Sequence, residues 1–134
     1  MPPRKREVNE LGAIVEPIFS DEQLRHFTHG IALFNAGKHW HAHEEWEATW
    51  LPMGDGPEDD GEIFLRALIQ VASGMHLKRI GRYGGARHHF EKALPKLHCL
   101  PPRYLGLDVS AIRLFAELQL REFSREYVFR LRRY

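Results

Sequence analysis

Apolar residues recur along the chain at the three- and four-residue steps of an α-helix, and no segment alternates apolar and polar positions long enough to propose a sheet. Leu24, Phe27, Ile31 and Phe34 draw the first stripe. The run Phe19-Ser20-Asp21-Glu22-Gln23-Leu24 predicts its start near Asp21: Ser20 caps, Gln23 returns the capping bond, and Phe19 staples onto Leu24. Gly37 supplies a left-handed stop. A second helix is expected from about Lys38 to Leu51, where Pro52 blocks continuation, and the Gly- and Pro-rich stretch after Met53 reads as a loop. A third, from about Asp59 to Ile80, is apolar on most sides through Ile63, Phe64, Leu65, Leu68, Ile69, Val71, Ala72 and Met75, which marks it as the central, most buried helix. Gly81 ends it, and a fourth follows through Tyr83, Ala86, Phe90, Ala93, Leu94 and Leu97, its last turn kinked or shortened by Pro95. Leu100 to Leu107 is a connection, after which Asp108 caps a fifth helix carrying Ile112, Phe115, Leu118 and Phe123.

The pattern also echoes itself. Around Gly37 and again around Gly81 there is a glycine, an aromatic close by and an Ala five residues later, Ala42 and Ala86, which describes a helix, a tight turn and a helix able to approach closely. This is similar to the helical-hairpin plan of tetratricopeptide repeats. The expected fold is all-α: one five-helix bundle built from two tetratricopeptide-like hairpins with a C-terminal helix across them, over residues 19–128. Residues 1–18 form an N-terminal tail and 129–134 a basic C-terminal one. Met1 to Arg6 and Arg130 to Tyr134 are expected to add little to the core, and no strand longer than an isolated bridge is expected.

Composition narrows this picture. A chain of 134 residues, 43% hydrophobic and 28% charged, suits one soluble domain and excludes disorder for most of its length. No stretch nears the roughly 18 to 20 apolar residues of a membrane helix, and no apolar run follows Met1-Pro2-Pro3-Arg4-Lys5-Arg6, so a cytoplasmic protein is expected. Cys99 is the lone cysteine, which leaves any metal to nitrogen and oxygen ligands. The net charge of +1 hides a segregation: between Lys38 and Arg66 there are eight acids and no Lys or Arg. The basic residues cluster instead at both ends of the chain, and solvated ends are a simpler reading of them than a nucleic-acid face.

The segment His39-Trp40-His41-Ala42-His43-Glu44-Glu45-Trp46-Glu47-Ala48-Thr49-Trp50 carries the candidate chemistry. At helical spacing His39, His43, Trp46, Glu47 and Trp50 share one face, while His41, Glu45 and Ala48 point the other way. His43 and Glu47, one turn apart, are spaced to grip one divalent ion such as zinc, iron, nickel or manganese. The position a zinc-peptidase helix would give to its second histidine is Glu47, so this is not that motif, and the paired Glu-x-x-His of a di-iron bundle is missing. Equally, a His and a Glu on a buried face can bond one another while indoles fill the core. Two side chains leave a metal short of ligands; His76, on a stripe with Leu65, Ile69 and Ala72, is the candidate from another helix, and Glu44 is a further ligand or general base. Trp46, Trp50 and Gln70 are expected to line the pocket. His39 and His41 read as solvated turn residues, and Glu58-Asp59-Asp60 as charge complementing the start of the third helix.

Phe34-Asn35-x-Gly37, Ala42-His43-Glu44-x-Trp46-Glu47-x-x-Trp50, Leu68-Ile69-Gln70-Val71-Ala72 with His76, Gly84-Gly85-Ala86 and Leu105-Gly106-Leu107-Asp108-Val109, in that order, resemble the small all-helical DUF309 family of bacteria and archaea. Its signature, His-x-x-x-Glu-x-x-Trp/Tyr, is met by His43, Glu47 and Trp50. The resemblance spans roughly Leu24 to Phe123 and departs from the family at His41, where members often carry an acid. It implies a helical bundle, a metal-binding role for the motif, and no established reaction. Two functions follow as expectations: a metal-binding helical protein, or a non-enzymatic tetratricopeptide-like interaction module in which the same residues form a buried polar staple. The partner is then a small molecule or a protein, with neither membrane nor nucleic acid expected, and a homo-oligomer is left open.

Overall fold

The computed structural model describes residues 3, 5, 14–54, 56 and 59–133. Five helices follow in order: α1 (Asp21–Asn35), α2 (His39–Trp50), α3 (Glu62–Arg79), α4 (Tyr83–His98) and α5 (Val109–Arg121), with a small hairpin of β1 (Arg103–Tyr104) and β2 (Leu107–Asp108) between the last two. The fold is all-α. Among the described residues no helix is long and apolar enough to cross a membrane.

Local chemistry sets the boundaries. The Ser20 hydroxyl accepts from Gln23 N (3.1 Å) and the Gln23 side chain accepts from Ser20 N (2.9 Å), so the capping box forms as its sequence dictates. Phe19, however, packs its ring on Phe27 and leaves Leu24 exposed, because the buried stripe of α1 runs through Phe27, Gly30, Ile31 and Phe34. Gly37 and Gly81 turn the two hairpins with φ of +78° and +82°, values a side chain disfavours. Pro95 lies inside α4 and does not shorten it; the flanking Ala93 and Leu97 are fully buried, and their packing holds the last turn although proline donates no hydrogen bond. Asp108 caps α5, accepting from Ala111 N at 3.0 Å.

α3 is the central element, packed on α2 and on α4, while α1 packs on α2 and α5 on α4. Ile63, Phe64, Leu65, Leu68, Val71 and Ala72 are buried along it, so its apolar character all round has a packing reason. The hairpins close tightly where small residues meet large ones. A Cβ at Gly30 would stand 2.4 Å from the Trp46 indole nitrogen, and one at Gly74 would stand 2.9 Å from Phe90. Ala42 and Ala86, the echoed positions, are both fully buried.

Two expectations need correction. The connection after α4 pairs as a two-residue antiparallel ladder, Arg103 with Asp108 and Tyr104 with Leu107, longer than an isolated bridge; Leu105 and Gly106, both at positive φ, make its turn. The basic C-terminal segment also joins the core. Phe129 stacks on Phe115 at 4.3 Å, Leu131 is 5% exposed, and the Asn35 side chain clasps the Leu131 backbone by accepting from its N at 2.7 Å and donating to its O at 3.1 Å. Asp108 N donates to Arg132 O, and Arg133 bridges Leu107. Charge at alternate positions masked two apolar side chains that point inward. In the N-terminal run Pro3 is buried and Lys5 exposed. The expectations at Met1, Pro2, Arg4, Arg6, Glu58 and Tyr134 fall outside the described residues.

Candidate functional site

The buried edge of α2 runs through Ala42, Trp46 and Thr49, which rotates the helix relative to the face drawn from spacing. Trp46 is therefore core and not pocket: it is fully buried and its Nε1 donates to Phe27 O at 3.2 Å. His43 and Trp50 lie on one flank of that edge and Glu45 on the other. Instead of pointing away, Glu45 reaches α1, where its two oxygens meet His26 Nδ1 at 2.6 Å and His29 Nδ1 at 3.2 Å.

On the first flank, His43 Nε2 stands 2.8 Å from Glu47 Oε1, with the imidazole 12% and the carboxylate side chain 46% exposed. The two side chains line a cavity of about 450 Å³ whose wall also holds Trp50, Gln70, Ser73 and His89, with Lys5, Arg66, Lys92 and Lys96 around it. Three helices thus supply the lining: α2, α3 and α4. Beneath it Glu62, fully buried, accepts from Trp50 Nε1 at 3.2 Å and lies 3.2 Å from Arg66 Nε, fixing the indole and the guanidinium together. His43 Nδ1, Gln70 Oε1 and His89 Nδ1 are shielded from solvent and have no hydrogen-bond partner among the described residues. Burial holds the His89 imidazole below its ordinary pKa, helped by Lys92, His88 and His43.

Not every candidate joins this cavity. Glu44 is exposed, lies 3.4 Å from His41 Nδ1 and does not line the cavity. His76 lines a different groove, with Trp40 and Arg79. The Trp40 indole stacks on His43 at 4.5 Å and meets His76 at 5.0 Å, so the two imidazoles contact the same ring. His39 is no solvated turn residue: its ring lies edge-on to Phe34 at 4.8 Å, and burial, then Arg79 and His76, lower its pKa to about 4. Among the described residues no group of three or more His, Cys, Asp or Glu is placed to hold a metal ion.

Glu62, Ser73 and His89 were invisible as site residues in the sequence, because each lies on a helix whose other residues are read as core or surface. One signal existed for His89. It falls where the fourth helix, by the internal echo, repeats the chemistry-bearing stretch of the second.

A model of a family described as a domain of unknown function, DUF309, matches residues 27–89, a stretch that runs from α1 to His89 of α4 and contains His43, Glu47, Gln70 and His76. No curated protein matches the chain.

Proposed function

We propose, from the geometry of the segment that the DUF309 model matches, a family whose description assigns no activity, that the chain binds a small polar molecule between α2, α3 and α4. One observation carries the reading: polar side chains from three helices, His43 and Glu47, Gln70 and Ser73, and His89, converge on one cavity while three of their buried atoms lack partners among the described residues. An unpaired buried polar atom costs about 1 to 3 kcal/mol, so a fold tolerates several in one place where a ligand can answer them. Lys5 and Lys92 favour a molecule that carries a negative charge.

As a resident metal centre the same residues fit poorly. His43 and Glu47 give two donors, His89 on the same wall is not placed with them to hold an ion among the described residues, and the surrounding lysines and Arg66 raise the cost of another cation. As a purely structural staple the pair is too open, since Glu47 is nearly half exposed. The test is native mass spectrometry of untreated protein combined with thermal shifts in inorganic phosphate, citrate and zinc chloride. Saturable stabilisation by an anion, about 2.7 kcal/mol at a hundredfold excess over Kd, and its loss in Gln70→Leu and Lys92→Ala, is the expected result. Stoichiometric metal that disappears in His43→Ala would replace this reading with the metal one. Indifference to every ligand would leave the staple.

A further inference from the structure

The turns of the two hairpins form a second concave surface. Arg79 Nη1 donates to Gly37 O at 3.2 Å and ties the α1–α2 turn to the end of α3. Between them lies a groove of about 400 Å³ lined by Lys38, Trp40, His41, His76, Arg79 and Ile80, with His39 and Gly37 completing it. Trp40 is 44% and Ile80 51% exposed, an apolar pair left in water beside Lys38 and Arg79. No described Asp or Glu lines the groove; Glu44, 3.4 Å from the lining His41, is next to it. Lys38 makes no ion pair among the described residues.

We propose that this groove docks an acidic peptide segment of another protein, with carboxylates on Lys38 and Arg79 and an aliphatic side chain between Trp40 and Ile80. Charge complementarity selects the carboxylates and the exposed apolar pair selects the aliphatic residue. A nucleic acid fits less well: the Trp40 indole is already stacked on His43 and is an apolar wall more than a platform for a base. The surface is separate from the polar cavity and stands whether or not that cavity binds a ligand.

Fluorescence anisotropy of a short fluorescein-labelled peptide of repeating Asp-Leu-Glu, titrated with the full chain, tests this. Saturable binding is expected, weakened by added salt, and about tenfold or more weaker in Lys38→Glu. Trp40→Ala should also weaken it, whereas Arg130→Glu, the same charge change at an exposed position outside the groove, should not. Melting curves check that each variant folds; if Trp40→Ala does not, Lys38→Glu decides alone. The proposal fails if Lys38→Glu binds the peptide as the parent does, if Arg130→Glu weakens binding as much, or if a labelled oligothymidylate binds more tightly than the peptide. It also fails if sedimentation shows a dimer that Lys38→Glu dissolves, since the occupant would then be the acidic stretch of a second copy.

Discussion

The three tryptophans of α2 sit in three environments, and their substitutions should separate accordingly. Trp46 is fully enclosed, so Trp46→Ala opens a cavity and should cost about 3 to 5 kcal/mol in urea unfolding. Trp50 is half-buried and held by Glu62, and Trp50→Ala should cost less. His41→Ala, on the solvated side, should change stability by no more than about 0.5 kcal/mol. His39 gives the molecule an acid sensitivity. Its pKa is near 4 in the fold against 6.5 for an ordinary histidine, so between those values the unfolded chain takes up a proton that the folded one does not. Its contribution to stability is intact above about pH 6.5 and falls away as the pH drops toward 4; Arg79 and His76, both facing it, oppose its charging. Melting temperatures should decline over that window, and less steeply in His39→Gln.

At the scale of elements, the closeness of α1 and α2 depends on the absence of a side chain. Gly30→Ala would drive a methyl into the Trp46 indole and should destabilise by about 1 to 3 kcal/mol, with Trp46 emission shifting as the ring is displaced. Gly37→Ala meets no neighbouring atom, and its cost, about 1 kcal/mol, would come from the positive φ alone. These elements were legible because their signals are local: Ser20 with Gln23, Gly37, Gly81 and Asp108 act within four residues of themselves. The rotation of α2 was not, because His43, Trp46 and Trp50 suit several faces equally, and only the neighbouring helices decide that Ala42, Trp46 and Thr49 turn inward. The pairing of Glu45 with His26 and His29 escaped for the same reason. So did His76, which sits on a stripe with core residues yet meets Trp40 in a separate groove. Of the candidate site, the His43–Glu47 contact could be read from spacing, whereas its companions Ser73, His89 and Glu62 depend on which helices pack together.

The whole molecule is closed by the segment after α5, and its anchors are few. Leu131→Ala should cost about 2 to 5 kcal/mol by cavity formation, far more than a basic tail would suggest. Sequence reasoning overlooked it because Phe129 and Leu131 alternate with arginines in a stretch too short to show a period. That clasp has a kinetic counterpart. Asn35 and Leu131 stand 96 positions apart, whereas the hairpins join neighbours in the chain, so closing the clasp confines a far longer loop and should come after the hairpins have formed. Asn35→Ala should then leave the refolding arm of a chevron plot where it was and raise the unfolding arm, so that the residue governs how long the folded molecule lasts and has little say in how fast it forms.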